Sequence, residues 1–497
     1  MAVNGTTKAD GTTLPDLSHH LSSETRSRTE NPMKAIWRLA QETPGLINMA
    51  NGDPHHTLYP ISEITFKVPS VSQADPVRAW RTGESKTQTF ISSKDEQCAL
   101  RLRSALQYGS GSGLPEVREA LQQLTHVLHK PLADHAITMS LGNADAVTKC
   151  FRLLGDPGDA FLAEEFSFPG MTNAPIAHRI RWVPVRLDKE GMIPEDMDRV
   201  LRQWDEGKQG RRPHVLYTIP CGQNPTGSTL TLDRRRKIYE IACQWDLIIV
   251  EDDPYYFLQY DKPPLDAAEI EREGFAKAFT RNLAASFLSL DTEGRVMRID
   301  SFSKIIAPGM RLGWITSNSV FASHLENLID SSTQHPHGLG QAFVTEMLVG
   351  KGGWHTDGFA RWVKSLCDEY QRRRDFLASL FKAELGSSGY ATVEIPEAGM
   401  FLWIRINLEE HPRYCKQSTG KSNTLALMKE LFERVRQAGV MMMPGYIFAI
   451  VDEDNPDAVN DIHERCNYFR TTFAGMEETM EEGMAIFGEA VRAFFEG

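Results

Sequence analysis

The feature that most constrains the fold is a repeated pattern in which an apolar, strand-like run stops abruptly at polar residues. The run 248–250, for example, is followed at once by the acids Glu251 and Asp252. A β-branched run of this kind is typical of a buried parallel strand. Strand and helix patterns alternate from about residue 75 to 332, which predicts an α/β fold with a mostly parallel sheet and helices on both faces. In such sheets the carboxyl ends of the strands face the ligand crevice.

A loop after the strand-like run 296–300 carries a distinctive set of polar groups. It contains Ser301, Ser303 and Lys304, and Arg311 follows a few residues later. A lysine can form a Schiff base with an aldehyde, while hydroxyls and a planar guanidinium suit a phosphate. An aldehyde that also carries a phosphate is pyridoxal 5'-phosphate (PLP). The alternative, which the stretch on its own would favour, is a strand that ends in a basic, serine-rich turn.

The acidic end of the run 248–250 fits the same cofactor. Asp252 can keep a pyridine nitrogen protonated, which makes the ring an electron sink. Tyr255, three residues later, is predicted to reach the phenolic oxygen of that ring. The alternative is that acids at a strand end belong only to a solvated loop.

Two turns complete the set of motifs. Asn224 opens an Asn-Pro-Thr-Gly turn, and its amide could donate a hydrogen bond to the phenolate of the cofactor. Such a sequence is otherwise an ordinary turn. The glycine-containing turn at 141–146 leads into the helical pattern 147–154, so its backbone N–H groups are expected at a helix N-terminus, which suits a phosphate.

The order of these motifs along the chain resembles the fold type I family of PLP enzymes, the aspartate aminotransferase superfamily. The stretches 251–257, 301–306, 105–109 and 113–115 are similar to the branch of kynurenine/2-aminoadipate and fungal aromatic amino acid aminotransferases. The resemblance covers residues from about Asn31 to the C-terminus. It implies a large PLP-binding α/β domain and a smaller α+β domain.

Within this architecture, the first residues are expected to form a separate arm, because they are rich in Ser and Thr and have no apolar periodicity. Residues 261–295 are expected to be an insertion. The predicted domains are a mobile arm at 1–30, a segment at 31–60 that joins the small domain, the large domain at 61–334 and the small domain at 335–497.

Carried over position by position, the resemblance implies a role for each matching residue. Lys304 is expected to be the Schiff-base lysine and Asp252 the partner of the pyridine nitrogen. The other implied cofactor contacts are Asn224 and Tyr255 to the ring oxygen, Phe168 stacked on the ring, Ser301, Ser303, Arg311 and the backbone of Asn143 and Ala144 to the phosphate, and Tyr108 from a neighbouring subunit. Phe168 stands where tyrosine is usual, and Asn143 and Ala144 replace a serine-glutamine pair.

The substrate contacts are also implied by the resemblance. Arg470 lies in the strand-like run 468–474 and is expected to bind the α-carboxylate, for which a bidentate fork is well suited. Position alone would favour a charge on the outer face of a strand. Gly52 and Asn224 are expected to line the same site, and Lys34 is expected to meet a distal substrate carboxylate.

These assignments predict a homodimeric aminotransferase with shared active sites and a ping-pong Schiff-base mechanism. The donor is expected to be an aromatic L-amino acid, or kynurenine or 2-aminoadipate, and the acceptor 2-oxoglutarate. Lys304 would move the Cα proton as general base and acid. The alternatives are β-elimination, racemisation or decarboxylation on the same scaffold, and an aminotransferase-like ligand sensor of a transcription regulator.

Composition narrows the class of protein. The chain of 497 residues is 41% hydrophobic, enough for a large core, and contains no apolar run long enough to span a membrane. Its formal net charge of −12 argues against nucleic-acid binding. The seven cysteines show no metal-ligand spacing, so we expect no metal, reduced thiols and a cytoplasmic location. The acids among the first thirty residues argue against a transit peptide.

Overall fold

The fold is described from a computed structural model for residues 14–418, 420–451 and 462–497. Within these residues the strands are β1 (Glu63–Pro69), β2 (Thr87–Ser93), β3 (Ala136–Ser140), β4 (Ala160–Glu164), β5 (Arg181–Val185), β6 (Leu187–Asp188), β7 (Gly191–Met192), β8 (Val215–Thr218), β9 (Ile248–Asp252), β10 (Val296–Ser301), β11 (Gly313–Ser317), β12 (Ala391–Val393), β13 (Phe401–Ile406), β14 (Met443–Pro444) and β15 (Tyr468–Thr472).

The helices of the same residues are α1 (Ser23–Ser27), α2 (Pro32–Glu42), α3 (Pro76–Thr82), α4 (Leu102–Ala105), α5 (Pro115–His129), α6 (Asn143–Leu154), α7 (Pro169–Ile176), α8 (Pro194–Arg202), α9 (Glu206–Gln209), α10 (Leu232–Gln244), α11 (Ala267–Glu273), α12 (Phe275–Arg281), α13 (Phe287–Leu290), α14 (Ser319–Asp330), α15 (Gly338–Val349), α16 (His355–Leu385), α17 (Thr424–Ala438) and α18 (Glu477–Glu496). In the part of the chain described, no helix combines the length and the apolar character needed to cross a membrane.

The chain divides into two compact units, and the first contains Met1–Asp156, Ile248–Pro254 and Pro263–Ser365. Four of its strands lie side by side in the order β3-β11-β10-β9. Strands β9 and β10 are parallel, whereas β11 is antiparallel to both β10 and β3. Every residue of β9 and β10 is buried, including the charged residues that both strands carry. Because β9 and β10 are parallel, Asp252 and Ser301 end them at the same edge.

A buried charge cluster ties these two strands together. The guanidinium of Arg298, on β10, is fully buried and donates to Asp253 at 2.9 Å and to Asp300 at 2.8 Å. It also lies 3.2 Å from Glu251. Burial raises the pKa of Asp300, and the charge of Arg298 opposes that shift. The cluster therefore joins residues adjacent in sequence to Asp252 and to Ser301.

The second unit contains Pro157–Leu247, Tyr255–Lys262 and Leu366–Gly497. Three of its strands lie side by side in the order β8-β4-β5, and both pairs are parallel. The unit also holds a four-stranded antiparallel sheet of order β12-β13-β15-β14. Helix α17 packs against α18. The predicted α/β class, with a mostly parallel large sheet, is confirmed, while the predicted domain boundaries after residues 30, 60 and 334 remain a prediction.

The described part of the predicted N-terminal arm, residues 14–30, packs against α6 within the first unit. Leu14, Leu17 and Leu21 are buried. The backbone N–H of Ser22 donates to the carbonyl of Leu153 at 2.8 Å. These contacts hold residues 14–30 in place, unlike the mobile arm that was predicted. The rest of the predicted arm, residues 1–13, lies outside the described residues.

The same segment closes the C-terminal end of α6, whose last carbonyls lack partners within the helix. The Ser22 hydroxyl donates to the Arg152 carbonyl at 2.8 Å and accepts from the Thr25 N–H at 3.1 Å. The Thr25 hydroxyl donates to the Leu153 carbonyl at 3.0 Å. The segment thus caps two helices at once.

We expect Ser22→Ala to loosen this end of α6. The substitution removes a helix cap and the shorter of the two hydrogen bonds to the Arg152 carbonyl, a loss of about 1–2 kcal/mol. Amide hydrogens in the last turn of α6 should therefore exchange about tenfold faster with deuterium. Ser27→Ala is the matched control, because the Ser27 hydroxyl is exposed and contacts only the Glu24 carbonyl among the bonds described for it. Equal exchange in the two variants would contradict the capping role.

Candidate active site

The edge of the first unit where β9 and β10 end carries several of the predicted site residues. Asp252 is buried at the end of β9. Ser301 ends β10, and its hydroxyl donates to that of Ser303 at 2.8 Å and accepts from the Ser303 N–H at 3.0 Å. Lys304 follows in the same turn and is half-buried. This turn therefore presents hydroxyls and an amine next to one another in sequence.

Arg311 lies beside the N-terminus of α6. Its guanidinium donates to the Leu141 carbonyl at 2.8 Å and to the Pro308 carbonyl at 2.9 Å. Gly142, which precedes α6, has φ of 97°, and a Cβ atom built there would lie 2.7 Å from Nη2 of Arg311. Only glycine allows this approach. A guanidinium next to free helical N–H groups is a suitable site for an anion.

The first two residues of α6 differ in the polar side-chain groups that they present. Asn143 donates its side-chain amide to Oδ1 of Asp252 at 2.5 Å. Ala144 is exposed and contributes no polar side-chain atom. The sequence predicted backbone contacts with phosphate for both residues and did not predict the bond between Asn143 and Asp252.

The second unit groups another set of predicted residues around Arg470. Nη1 of Arg470, on β15, donates to Oδ1 of the buried Asn224 at 2.6 Å. The Arg470 guanidinium also lies 4.3 Å from the ring centre of Phe401 and 4.8 Å from that of Phe448. Burial lowers the pKa of Arg470, and the neighbouring Tyr255 opposes this shift. Arg470 is thus held in an aromatic setting, not on the outer face of a solvated strand.

Tyr255 and Phe168 complete the predicted residues of this unit. Tyr255 is buried and packs edge-to-face against Phe401, with ring centres 5.9 Å apart. Phe168 precedes α7, and its ring lies over Gly170, where a Cβ atom would come within 2.7 Å of it. The ring of Phe168 is half-buried, so one part of it is open for contact.

The remaining predicted residues lie together around a cavity of about 360 Å³ in the first unit, which Lys34, Gly52 and Tyr108 help to line. Tyr108 is 49% exposed. Lys34 is buried, donates to the Gly109 carbonyl and lies 4.0 Å from Oδ1 of Asp330. Burial lowers the pKa of Lys34, and the charge of Asp330 opposes this. The Lys34 amine is therefore held by protein groups, and its contact with a substrate stays a prediction.

Comparison with known families identifies the class of protein to which the chain belongs. The family model described as "Aminotransferase class I and II" matches residues 73–486. The chain belongs to this family. The aminotransferase is 55% identical to an L-tyrosine:2-oxoglutarate aminotransferase of Serpula lacrymans, over 97% of this chain and 96% of that protein.

More distant relatives agree with this family. An aromatic amino acid aminotransferase of Schizosaccharomyces pombe is 35% identical over 95% of this chain and 96% of its own. The crystal structure of the aminotransferase Aro8 from Candida albicans superposes with a TM-score of 0.84 at 32% identity, covering 97% of this chain and 99% of that one. The aminotransferase therefore has the fold type I architecture and is an enzyme whose cofactor is PLP.

The groups of the first unit fit this cofactor. A phosphate needs donors, which the hydroxyls of Ser301 and Ser303, the Arg311 guanidinium and the start of α6 supply. A pyridine nitrogen needs a carboxylate, which Asp252 supplies from a buried position. The absence of a side chain at Gly142 leaves the helix N-terminus open beside Arg311. The groups of the first unit thus fit the phosphate and the pyridine nitrogen of PLP.

The sequence did not predict two aromatic residues that contact Arg470. Phe401 and Phe448 place their rings against Arg470. Phe401 had a usable signal, since it alternates with Trp403 on β13 and Trp403 pairs with Arg470. Phe448 follows the short turn Gly445–Ile447 and had no comparable signal.

Proposed function

We propose that this aminotransferase transfers the amino group of aromatic L-amino acids, L-tyrosine above all, to 2-oxoglutarate. The observation that carries this proposal is the 55% identity, over nearly the whole chain, to a protein named for that reaction. The aromatic rings of Phe401 and Phe448 around Arg470 support it, since they add apolar surface beside the proposed carboxylate anchor.

The residues of the first unit are assigned roles at the cofactor. Bound PLP supplies an aldehyde that condenses with amino groups and a ring that accepts electrons. Lys304 provides the amine that holds the aldehyde and later moves a proton at the substrate Cα atom. Asp252 holds a proton at the pyridine nitrogen. The groups assigned to the phosphate are Ser301, Ser303, Arg311, the backbone of Asn143 and Ala144, and Tyr108 of a second subunit.

The residues of the second unit are assigned to the ring and the substrate. Asn224 has its Oδ1 engaged by Arg470, which leaves its N–H group for the ring oxygen. Tyr255 donates to the same oxygen, and Phe168 lies against the ring. Arg470 binds the α-carboxylate of donor and acceptor alike. Gly52 and Lys34, from the first unit, are assigned to the substrate as well.

We also propose a homodimer with shared active sites. Helix α2 and the residues after it expose large apolar side chains, a surface that a second copy would cover. The exposed residues are Met33, Ile36, Leu39, Leu46, Ile47, Met49 and Leu58. Tyr108, near this surface in the first unit, would reach the phosphate of the second copy. Light scattering that gives the single-chain mass of 55.9 kDa for the active enzyme would contradict this proposal.

A cytoplasmic location is proposed on the state of the cysteines. All seven are free thiols in the structure, and four of them are buried. Thiols persist in reducing compartments. Cell fractionation that places the native protein in a secreted or luminal fraction would contradict this location.

A substrate panel tests the proposed function. Tyrosine, phenylalanine, tryptophan, kynurenine and 2-aminoadipate are each incubated with enzyme, PLP and 2-oxoglutarate, and glutamate is measured. We expect the highest kcat/KM with tyrosine and lower values with the other aromatic donors. Glutamate formation from 2-aminoadipate alone would overturn the donor assignment. Consumption of tyrosine without glutamate would instead indicate a different PLP reaction.

Arg470→Lys should weaken the use of every donor and acceptor. A lysine cannot reproduce the bidentate fork, and each charge-assisted hydrogen bond contributes about 1.5–3 kcal/mol. One lost bond corresponds to a fall in kcat/KM of about one to two orders of magnitude for both half-reactions. Steady-state kinetics with tyrosine and 2-oxoglutarate measure this.

The control is Arg405→Lys, a partly exposed arginine on β13 whose guanidinium contacts Asn407 and Glu409. We expect this variant to retain wild-type kinetics. Full activity of Arg470→Lys, or loss of its cofactor absorbance, would show that Arg470 is not the carboxylate anchor.

A further inference from the structure

We propose that the side-chain amide of Asn143 is a positioning group that orients the carboxylate of Asp252 while leaving its negative charge intact. This inference rests on the proposed function, because it concerns how Asp252 meets the pyridine nitrogen. It adds a side-chain role to a residue that was assigned only a backbone contact with phosphate.

The geometry begins with the start of α6. Gly142 takes a left-handed φ of 97° immediately before the helix, and a side chain there would overlap Arg311. The backbone conformation thus fixes where Asn143, the first residue of α6, projects its side chain. Nδ2 of Asn143 lies 2.5 Å from Oδ1 of Asp252. One oxygen of the carboxylate is therefore bound by the amide, and the rotation of the carboxylate is restricted.

The orientation of the amide is set by charge. Only the N–H side of Asn143 can face a carboxylate without repulsion. With Nδ2 towards Asp252, Oδ1 of Asn143 is buried and has no hydrogen bond within the described structure. A buried acceptor without a donor is unfavourable. The pairing with Asp252 is therefore kept at the expense of an unsatisfied oxygen on the same side chain, which is more typical of a functional contact than of a purely stabilising one.

The carboxylate of Asp252 lies in poorly solvated surroundings, where a hydrogen-bond donor has a large effect on it. Cys150, two turns along α6, is fully buried, and its pKa lies far above the usual range because of burial and, to a lesser extent, the charge of Asp252. Asp252 itself is 4% exposed. In so poorly solvated a setting, a hydrogen bond favours the ionised carboxylate. A neutral amide does this without a second positive charge that would compete with the pyridine nitrogen.

The test compares three variants loaded with PLP. Asn143→Ala removes the donor, and Asn143→Asp keeps the shape but replaces the donor with an acceptor. Thr148→Ala is the control, because it removes a hydroxyl from the same helix that bonds only to the Ala144 carbonyl among the contacts described for it. The readouts are the dissociation constant of PLP from the apoprotein, the ¹⁵N chemical shift of the pyridine nitrogen in labelled PLP, and the rate of the tyrosine half-reaction.

We expect Asn143→Ala to weaken PLP binding and to slow the half-reaction, each by about tenfold, with KM for tyrosine unchanged. Its pyridine ¹⁵N shift should move towards that of an unprotonated ring. Asn143→Asp should show larger changes in the same direction, because two carboxylates would then face each other. The melting temperature of the Asn143→Ala apoprotein should stay close to that of Thr148→Ala, since the lost bond to Asp252 is offset by removal of the unsatisfied oxygen of the amide.

Wild-type kinetics, PLP affinity and ¹⁵N shift in Asn143→Ala would overturn the role of Asn143 and leave the proposed function intact. A fall in apoprotein melting temperature with an unchanged ¹⁵N shift would also overturn it, in favour of a structural role. If the wild-type protein failed to bind PLP, the proposed function would fall, and this role with it.

Discussion

Lys304→Ala should lose nearly all transamination and the visible absorbance of lysine-bound PLP. The substitution removes both the amine that holds the cofactor aldehyde and the group that moves the Cα proton. Proton transfer by a positioned side chain contributes about 10²–10⁴-fold on its own, so we expect the tyrosine half-reaction to slow by at least about three orders of magnitude. Stopped-flow spectroscopy of the PLP-loaded enzyme measures this.

Borohydride reduction identifies the residue directly. In the wild-type enzyme, reduction followed by proteolysis should yield a phosphopyridoxyl adduct on the peptide that contains Lys304. Lys382→Ala, at an exposed position near the end of α16, is the control and should retain both the adduct and the activity. A borohydride-reducible linkage that persists in Lys304→Ala would exclude Lys304 as the Schiff-base lysine.

Asp252→Ala should still bind PLP but exchange the Cα proton of the substrate far more slowly. The buried carboxylate is assigned to hold a proton at the pyridine nitrogen, and removal of one preorganised electrostatic group from an active site costs about 10²–10³-fold in rate. The exchange of the Cα hydrogen of tyrosine with deuterium, followed by NMR, measures the step without the second substrate.

Asp252→Asn separates charge from shape. The asparagine can keep a hydrogen bond in place of Asp252 but carries no negative charge, so we expect it to be nearly as slow as Asp252→Ala. Near-normal exchange in both variants would exclude the electrostatic role. Near-normal exchange in Asp252→Asn alone would indicate that the ring needs only a hydrogen bond.

The sequence predicted best those parts of the site that depend on the ends of strands. Strand-like runs that end just before Asp252 and shortly before Lys304 are local signals, and the parallel arrangement of β9 and β10 brings Asp252 and Ser301 to one edge. Arg470 was assigned by resemblance, and the structure places it against Asn224.

Other contacts depend on tertiary geometry and leave no local pattern. The bond between Asn143 and Asp252 requires the left-handed turn at Gly142 and joins residues 109 positions apart. Phe401 and Phe448 reach Arg470 from separate elements.

The N-terminal segment shows why composition can mislead. Its Ser- and Thr-rich sequence predicted an arm without a fixed position, because few apolar residues usually mean little surface to bury. Yet Leu14, Leu17 and Leu21 bury their side chains. The polar residues between them find partners at the end of α6, as Ser22 does with Arg152. Three leucines are too few to form a periodic apolar pattern in the sequence, but they are enough to hold the segment against the protein.

The buried cluster around Arg298 has a consequence for how this enzyme can change over generations. Removal of one partner from a buried ion pair costs about 3–5 kcal/mol, a large share of a typical protein's stability. Random substitutions at Glu251, Asp253, Arg298 or Asp300 should therefore be eliminated as unfolded protein before any new substrate preference could be selected. Variants with altered donor range should instead accumulate around Phe401 and Phe448, where apolar contacts tolerate exchange more readily.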